Sequence, residues 1–175
     1  MSLAIYINLT KELSKIRKYT SKRNSQCIDD LPNKIQSSQS TGLIIHKESG
    51  LCLDAEGGHL RDLVRVILYP CHNGVNQKWH QKIEDNKYVF SLGDNKNYKV
   101  LDVEQGSKKN CGKLIIYNYH GGDNQKFFWD EKNGTIKAAN SNKCLTARNA
   151  ATMVQLSIYD CNNSKAQIFE IRKIN

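Results

Sequence analysis

An all-β chain folded as a β-trefoil, carrying a short N-terminal helical arm, is what this 175-residue sequence predicts. Three observations carry the expectation. The stretches VILYPCHNGVNQKW (66–79), LIIYNYHGGDNQKF (114–127) and LSIYDCNNSKAQIF (156–169) share one register, with Tyr69, Tyr117 and Tyr159 aligned and Gln77, Gln125 and Gln167 following. A marker precedes each stretch, Leu53-Asp54, Leu101-Asp102 and, altered, Leu145-Thr146. Marker and glutamine both recur after 48 residues, then after 44 and 42, so the third copy is slightly shortened. Short apolar runs such as Leu43-Ile44-Ile45, Val66-Ile67-Leu68-Tyr69 and Tyr88-Val89-Phe90 alternate with Gly, Asn and Asp clusters, the pattern of strands joined by turns.

Along the chain, residues 1–40 read as an arm. Leu9, Leu13 and Ile16 fall at helical spacing with Thr10 as a cap and Lys/Arg on the other face, predicting an amphipathic helix over about 8–20. Its apolar stripe needs a partner, either the trefoil or another subunit or domain, in preference to a membrane surface. A linker rich in Ser, Asn and Gln follows. From 41 to 175, each copy supplies about four short strands. None can bury a face alone, so the three must close around a pseudo-threefold axis. The expected shared core is Leu53, Leu101, Leu145, Trp79, Phe127, Phe169, Ile67, Ile115 and Ile158.

Composition narrows the function classes. Lys+Arg 26 against Asp+Glu 17 gives a net charge of +9, of which +4 falls in residues 1–40. The excess is diffuse and lacks the basic clusters interleaved with stacking aromatics that a nucleic-acid surface shows. No apolar run reaches the ~20 residues of a membrane span, and the first residues show no signal-peptide pattern. The sequence holds no nucleophile beside a base, no paired carboxylates at defined spacing and no phosphate-cradling glycine loop, which predicts a non-enzymatic chain needing no cofactor. Metal binding by Cys71, His72 and His80 lacks a spaced ligand quartet.

With Gln77-Lys78-Trp79, Gln125-Lys126-Phe127 and Gln167-Ile168-Phe169, and Cys-Leu-Asp or its relics at each repeat front, residues 41–175 resemble the ricin B-chain type lectins. The loop Cys71-His72-Asn73-Gly74-Val75-Asn76-Gln77 and the third-repeat texts NSNKCL and DCN look most similar to the lectin module of polypeptide N-acetylgalactosaminyltransferases. The resemblance implies disulfides Cys52–Cys71 and Cys144–Cys161, with the second-repeat positions taken by Val100 and Tyr119, where packing must substitute. Cys27 and Cys111 are left over, paired or free. It also implies sites for galactose or N-acetylgalactosamine in two repeats. Asp54, Tyr69, His72 and Asn76 would form the first, and Asp102, Tyr117, His120 and Asn124 the second. A ring packs the sugar's C–H face, an ionised carboxylate accepts from vicinal hydroxyls, and an amide donates and accepts.

The third repeat offers Thr146, Tyr159, Asn162 and Ala166, with Thr146 in place of the carboxylate and Ala166 in place of the Asn76 amide, and should not bind. Gln77, Trp79, Gln125, Phe127, Gln167 and Phe169 persist there and read as structural, while Asp54 and Asp102 also suit simple turn roles. The implied partners are glycans and glycoproteins bearing galactose or N-acetylgalactosamine. Three settings stay open: a free-standing lectin or toxin subunit, the lectin module of a transferase, and a trefoil making protein or heparin-like contacts. Cysteine pairs and sequons at Asn8, Asn133 and Asn162 suit a secretory route.

Overall fold

The structure, a computed structural model, describes residues 40–174. The expected helix near 8–20, the linker and Cys27 lie outside the described residues. Strands β1 (Ser40–His46), β2 (Cys52–Ala55), β3 (Val64–Tyr69) and β4 (Trp79–Glu84) form the first repeat. The second holds β5 (Lys87–Gly93), β6 (Tyr98–Val103), β7 (Gly112–Tyr117) and β8 (Phe127–Asp130); the third holds β9 (Thr135–Ala138), β10 (Cys144–Thr146), β11 (Ser157–Tyr159) and β12 (Phe169–Lys173).

Outer strands of each repeat build a barrel. β1 pairs antiparallel with β12 and β4, β4 with β5, β5 with β8, and β8 with β9. The circle closes where the Phe169 N–H donates to the Gly134 carbonyl at 2.7 Å. The inner strands form hairpins β2–β3, β6–β7 and β10–β11. They cap one end as a triangle through β3–β7, β7–β11 and the Ile67–Gln155 bridge. Closure leaves few free edges, which protects such short strands from pairing with other chains.

One apolar cluster fills the interior, with Trp79, Phe127, Phe169, Leu53, Leu101 and Leu145 at its centre. The Trp79 indole N–H donates to the Leu53 carbonyl at 3.1 Å, so its one polar atom is satisfied where it is buried. Two expected core residues behave differently. Successive strand side chains alternate between faces, and in β3 and β7 it is Val66, Leu68, Leu114 and Ile116 that enter this cluster, matched by Leu156 and Ile158 in the third repeat. Ile67 and Ile115 are buried on the opposite face, where the third repeat has Ser157. Grouping them with Ile158 mixes the two faces by one residue.

Both disulfides are present, with Cα atoms 5.2 Å apart in Cys52–Cys71 and 5.1 Å in Cys144–Cys161. Cys111 is exposed and free among the described residues. In the second repeat Val100 is fully buried, but packing is half of the substitution. The Tyr119 hydroxyl donates to Glu84 on β4, and Lys126 reaches both Glu84 at 3.0 Å and Asp85 at 3.2 Å. These donors hold the Glu84 carboxyl down to about 2, while burial and the Glu84 contact push the Tyr119 phenol up to about 12.

Candidate functional site

Each hairpin ends in a loop that the repeat glutamine ties down. Gln77 accepts from the His72 N–H at 2.9 Å and donates to the Pro70 carbonyl at 3.0 Å and to Asp54 Oδ2 at 2.8 Å. Gln125 repeats the pattern with the His120 N–H, the Asn118 carbonyl and Asp102 Oδ2 at 2.8, 2.8 and 2.7 Å. Gln167 does so with the Asn162 N–H, the Asp160 carbonyl and Thr146 Oγ1 at 2.9, 2.9 and 3.0 Å. The fully buried glutamine therefore fixes the loop and, in two repeats, aims a carboxylate.

In the first repeat Asp54, Tyr69, His72 and Asn76 line one open cavity of about 430 Å³, with Ile67 also in its wall. The Gly74 N–H donates to His72 Nδ1 at 3.0 Å, which leaves the ring proton on Nε2, 3.2 Å from Asp54 Oδ2. Asn76 donates to the Ala55 carbonyl at 3.1 Å. Both protein bonds to Asp54 therefore fall on Oδ2, and Oδ1 has no hydrogen-bond partner among the described residues.

The second repeat gathers Asp102, Tyr117, His120 and Asn124 around a cavity of about 520 Å³ walled by Ile115. Its carboxylate is more occupied. Asn124 Nδ2 donates to both Asp102 oxygens at 3.1 Å, and His120 Nε2 stands 3.5 Å from Oδ2. Burial pushes the Asp102 carboxyl up, opposed by the hydrogen bonds from Gln125 and Asn124 and by the His120 ring.

The third repeat keeps the scaffold and loses the carboxylate. Thr146 Oγ1 takes the Gln167 bond and donates to the Cys144 carbonyl at 2.9 Å, which uses its proton. The Asn162 side chain accepts the Ser164 N–H at 3.0 Å where the histidines accept a glycine N–H. Arg148 lies over the Tyr159 ring, its guanidinium carbon 5.2 Å from the centroid, and donates to Cys111 Sγ at 3.1 Å. The ring face that stays open at Tyr69 is covered here by the protein's own cation.

Sequence reasoning brought these two sets of four together but missed their supports. A Cβ on Gly74 would lie 2.5 Å from His72 Cε1, and one on Gly122 would lie 2.6 Å from Asn124 Oδ1 and 2.7 Å from His120 Cε1. Glycine at both positions makes room for the imidazole. The signal was legible as His-x-Gly in two repeats against Asn-x-Ser in the third. Cys71, being disulfide-bonded, is no thiolate for a metal. Among the described residues no group of three acidic, His or Cys side chains could hold a metal ion, and no helix is long and apolar enough to cross a membrane.

Comparisons with known proteins agree with the trefoil fold. No curated protein matches the chain. Among solved structures, a designed threefold-symmetric protein, ThreeFoil, is 28% identical with a TM-score of 0.70, over 77% of this chain and 99% of that one. A non-toxic homologue of type II ribosome-inactivating proteins from Momordica charantia (bitter gourd), solved with α-methyl-D-galactoside, is 28% identical with a TM-score of 0.62, over 77% of this chain and 48% of that one. The C-terminal half of an earthworm R-type lectin, solved with N-acetylgalactosamine, shares the fold at 15% identity and a TM-score of 0.63, over 77% of this chain and 99% of that one. The family description "Ricin-type beta-trefoil lectin domain" matches residues 40–169, most of the chain, and the protein belongs to that family.

Proposed function

We propose that this chain is a non-catalytic glycan-binding module that takes a galactose or N-acetylgalactosamine residue in its first and second repeats, the first being the stronger site. One observation carries the reading. Two repeats hold an open cavity lined by carboxylate, imidazole, amide and tyrosine, whereas in the third the tyrosine face is covered by Arg148. The free Oδ1 of Asp54 is a charged acceptor for a sugar hydroxyl, and half-exposed Tyr69 offers the apolar face. In the second site a sugar must share Asp102 with Asn124. The ligands of the bitter-gourd and earthworm structures support the choice of sugar.

Partners are then glycoproteins and glycans ending in these sugars. The two disulfides favour an oxidising compartment. The transferase-like His-x-Gly loop leaves the site chemistry the same whether or not a catalytic domain accompanies it. Shallow sites of this kind bind one sugar at roughly 1 mM, and useful strength comes from multivalent display. Titrating galactose and N-acetylgalactosamine into isotope-labelled protein should move the amides around His72 and His120 and leave those around Tyr159 still. Comparable shifts at Tyr159 would overturn the assignment. Binding that follows salt and ignores neutral sugars would move the reading to protein or heparin-like contacts through the +9 charge.

A further inference from the structure

Leu63, Cys111 and Met153 occupy equivalent places in the three repeats, and all are left-handed, with φ of 66°, 69° and 64°. None is glycine, the residue such a conformation favours. Each sends its N–H across to the next hairpin: Leu63 to the Ile116 carbonyl at 3.0 Å, Cys111 to Ile158 at 2.9 Å and Met153 to Leu68 at 2.8 Å. These backbone bonds fix the turn whatever side chain it carries. Strained backbone bearing a side chain that the turn does not need points to a role for the side chain.

Their positions supply it. Met153, from the third repeat, lines the first-repeat cavity together with Asp54 and Tyr69; Leu63, from the first repeat, lines the second-repeat cavity with Asp102 and Tyr117. Both are well exposed, at 48% and 62%. At the third position Cys111 holds Arg148 over Tyr159 instead. The polar groups of each cavity meet hydroxyls and the tyrosine meets the ring's C–H face. An exposed thioether or isobutyl group can gain only by taking hydrocarbon out of water. Galactose and N-acetylgalactosamine share the ring and its hydroxymethyl group, and the hydrocarbon that only the second adds is the methyl of its acetamido group.

We propose that Met153 and Leu63 are specificity-determining residues, each lent by one repeat to its neighbour's site, and that they select N-acetylgalactosamine over galactose. This rests on the glycan-binding reading above. The native chain should prefer N-acetylgalactosamine at both sites by about four-fold, the worth of one buried methyl group. Met153→Gly and Leu63→Gly suit the left-handed backbone and should fold at least as well as the native chain, as thermal melting will show. Galactose and N-acetylgalactosamine are titrated against each by amide shifts that report the two sites separately. Met153→Gly should erase the preference at the first site while leaving galactose affinity and the second site unchanged; Leu63→Gly should do the converse. Equal loss of both sugars, or an unaltered preference, would overturn the assignment. Failure of the native chain to bind either sugar would reject the glycan reading itself, and the assignment with it.

Discussion

Replacing Asp54 by asparagine separates charge from shape at the first site. In the native protein Oδ2 holds the Gln77 amide and the His72 ring, while Oδ1 of this cavity-lining residue has no partner among the described residues. Asparagine can satisfy Gln77 only with its carbonyl oxygen, since turning its NH₂ inward would set two donors together. Its NH₂ then stands where the sugar needs an acceptor. A charge-assisted bond becomes a donor facing a donor, which costs ~2–3 kcal/mol and weakens binding about 30- to 150-fold, beyond detection for a millimolar site. The fold keeps a neutral Gln77 bond and loses about 1 kcal/mol, a few degrees in melting temperature. Calorimetric titration of N-acetylgalactosamine into Asp54→Asn, Asp102→Asn and the double variant, with circular dichroism as the control, reads both effects. Retained binding by the folded double variant would refute the role given to the carboxylates, since a pure turn residue tolerates asparagine.

Gly74→Ala should push His72 off Asp54, because the new Cβ meets the ring at 2.5 Å, and weaken sugar binding at the first site while sparing the second; site-resolved amide shifts check it. Reducing the two disulfides, which span 19 and 17 residues, should remove ~3 kcal/mol each in the chain-entropy model and lower the melting temperature by more than 10 °C. The Glu84 carboxyl, held down to about 2 from 4.5, protonates later in the folded than in the unfolded chain. Its stabilisation is therefore complete above pH 4.5 and is lost as the pH falls towards 2, and Tyr119→Phe should flatten that part of an acid-unfolding curve. Asp102 has the opposite sign. Its raised pKa makes the folded chain protonate first, so acidification through that value should weaken sugar binding at the second site while favouring the fold, as titrations at stepped pH will show.

The trefoil was legible because its signal repeats: three glutamines and three aromatics at matching offsets admit few other closures. The eight candidate residues were legible for the same reason, since a hairpin places Asp54 and Asn76 close whatever the rest of the chain does. What escaped was anything that depends on facing side chains or on contacts between repeats. Ile67 and Ile158 share a residue type but differ by one strand position, since the tyrosine register sets Ile67 against Ser157, and one position reverses the face. The entry of Met153 and Leu63 into a neighbour's cavity is a long-range contact at left-handed positions where no glycine betrays the turn. Arg148 was invisible because its target, Tyr159, lies eleven residues away on the partner strand of its hairpin.

On the proposed function, comparison with the third repeat separates the part of Asp54 that serves the fold from the part left for a ligand. In the first repeat Asp54 lines the cavity, gives Oδ2 to Gln77 and leaves Oδ1 without a partner among the described residues. Thr146 supplies only the inner half: its hydroxyl accepts from Gln167 with nearly the same geometry, 3.0 against 2.8 Å, and no outer oxygen remains. A buried glutamine amide left without an acceptor would cost ~1–3 kcal/mol, so a residue at this position must present an oxygen even where no sugar binds. Threonine meets that need without a charge. With threonine at position 146, Arg148 lies over the half-buried ring of Tyr159 and meets no carboxylate there. The surviving glutamine thus marks the fold, whereas the second carboxylate oxygen marks the proposed site. Counting glutamines finds three repeats; counting the carboxylates bound to those glutamines finds the two proposed sites.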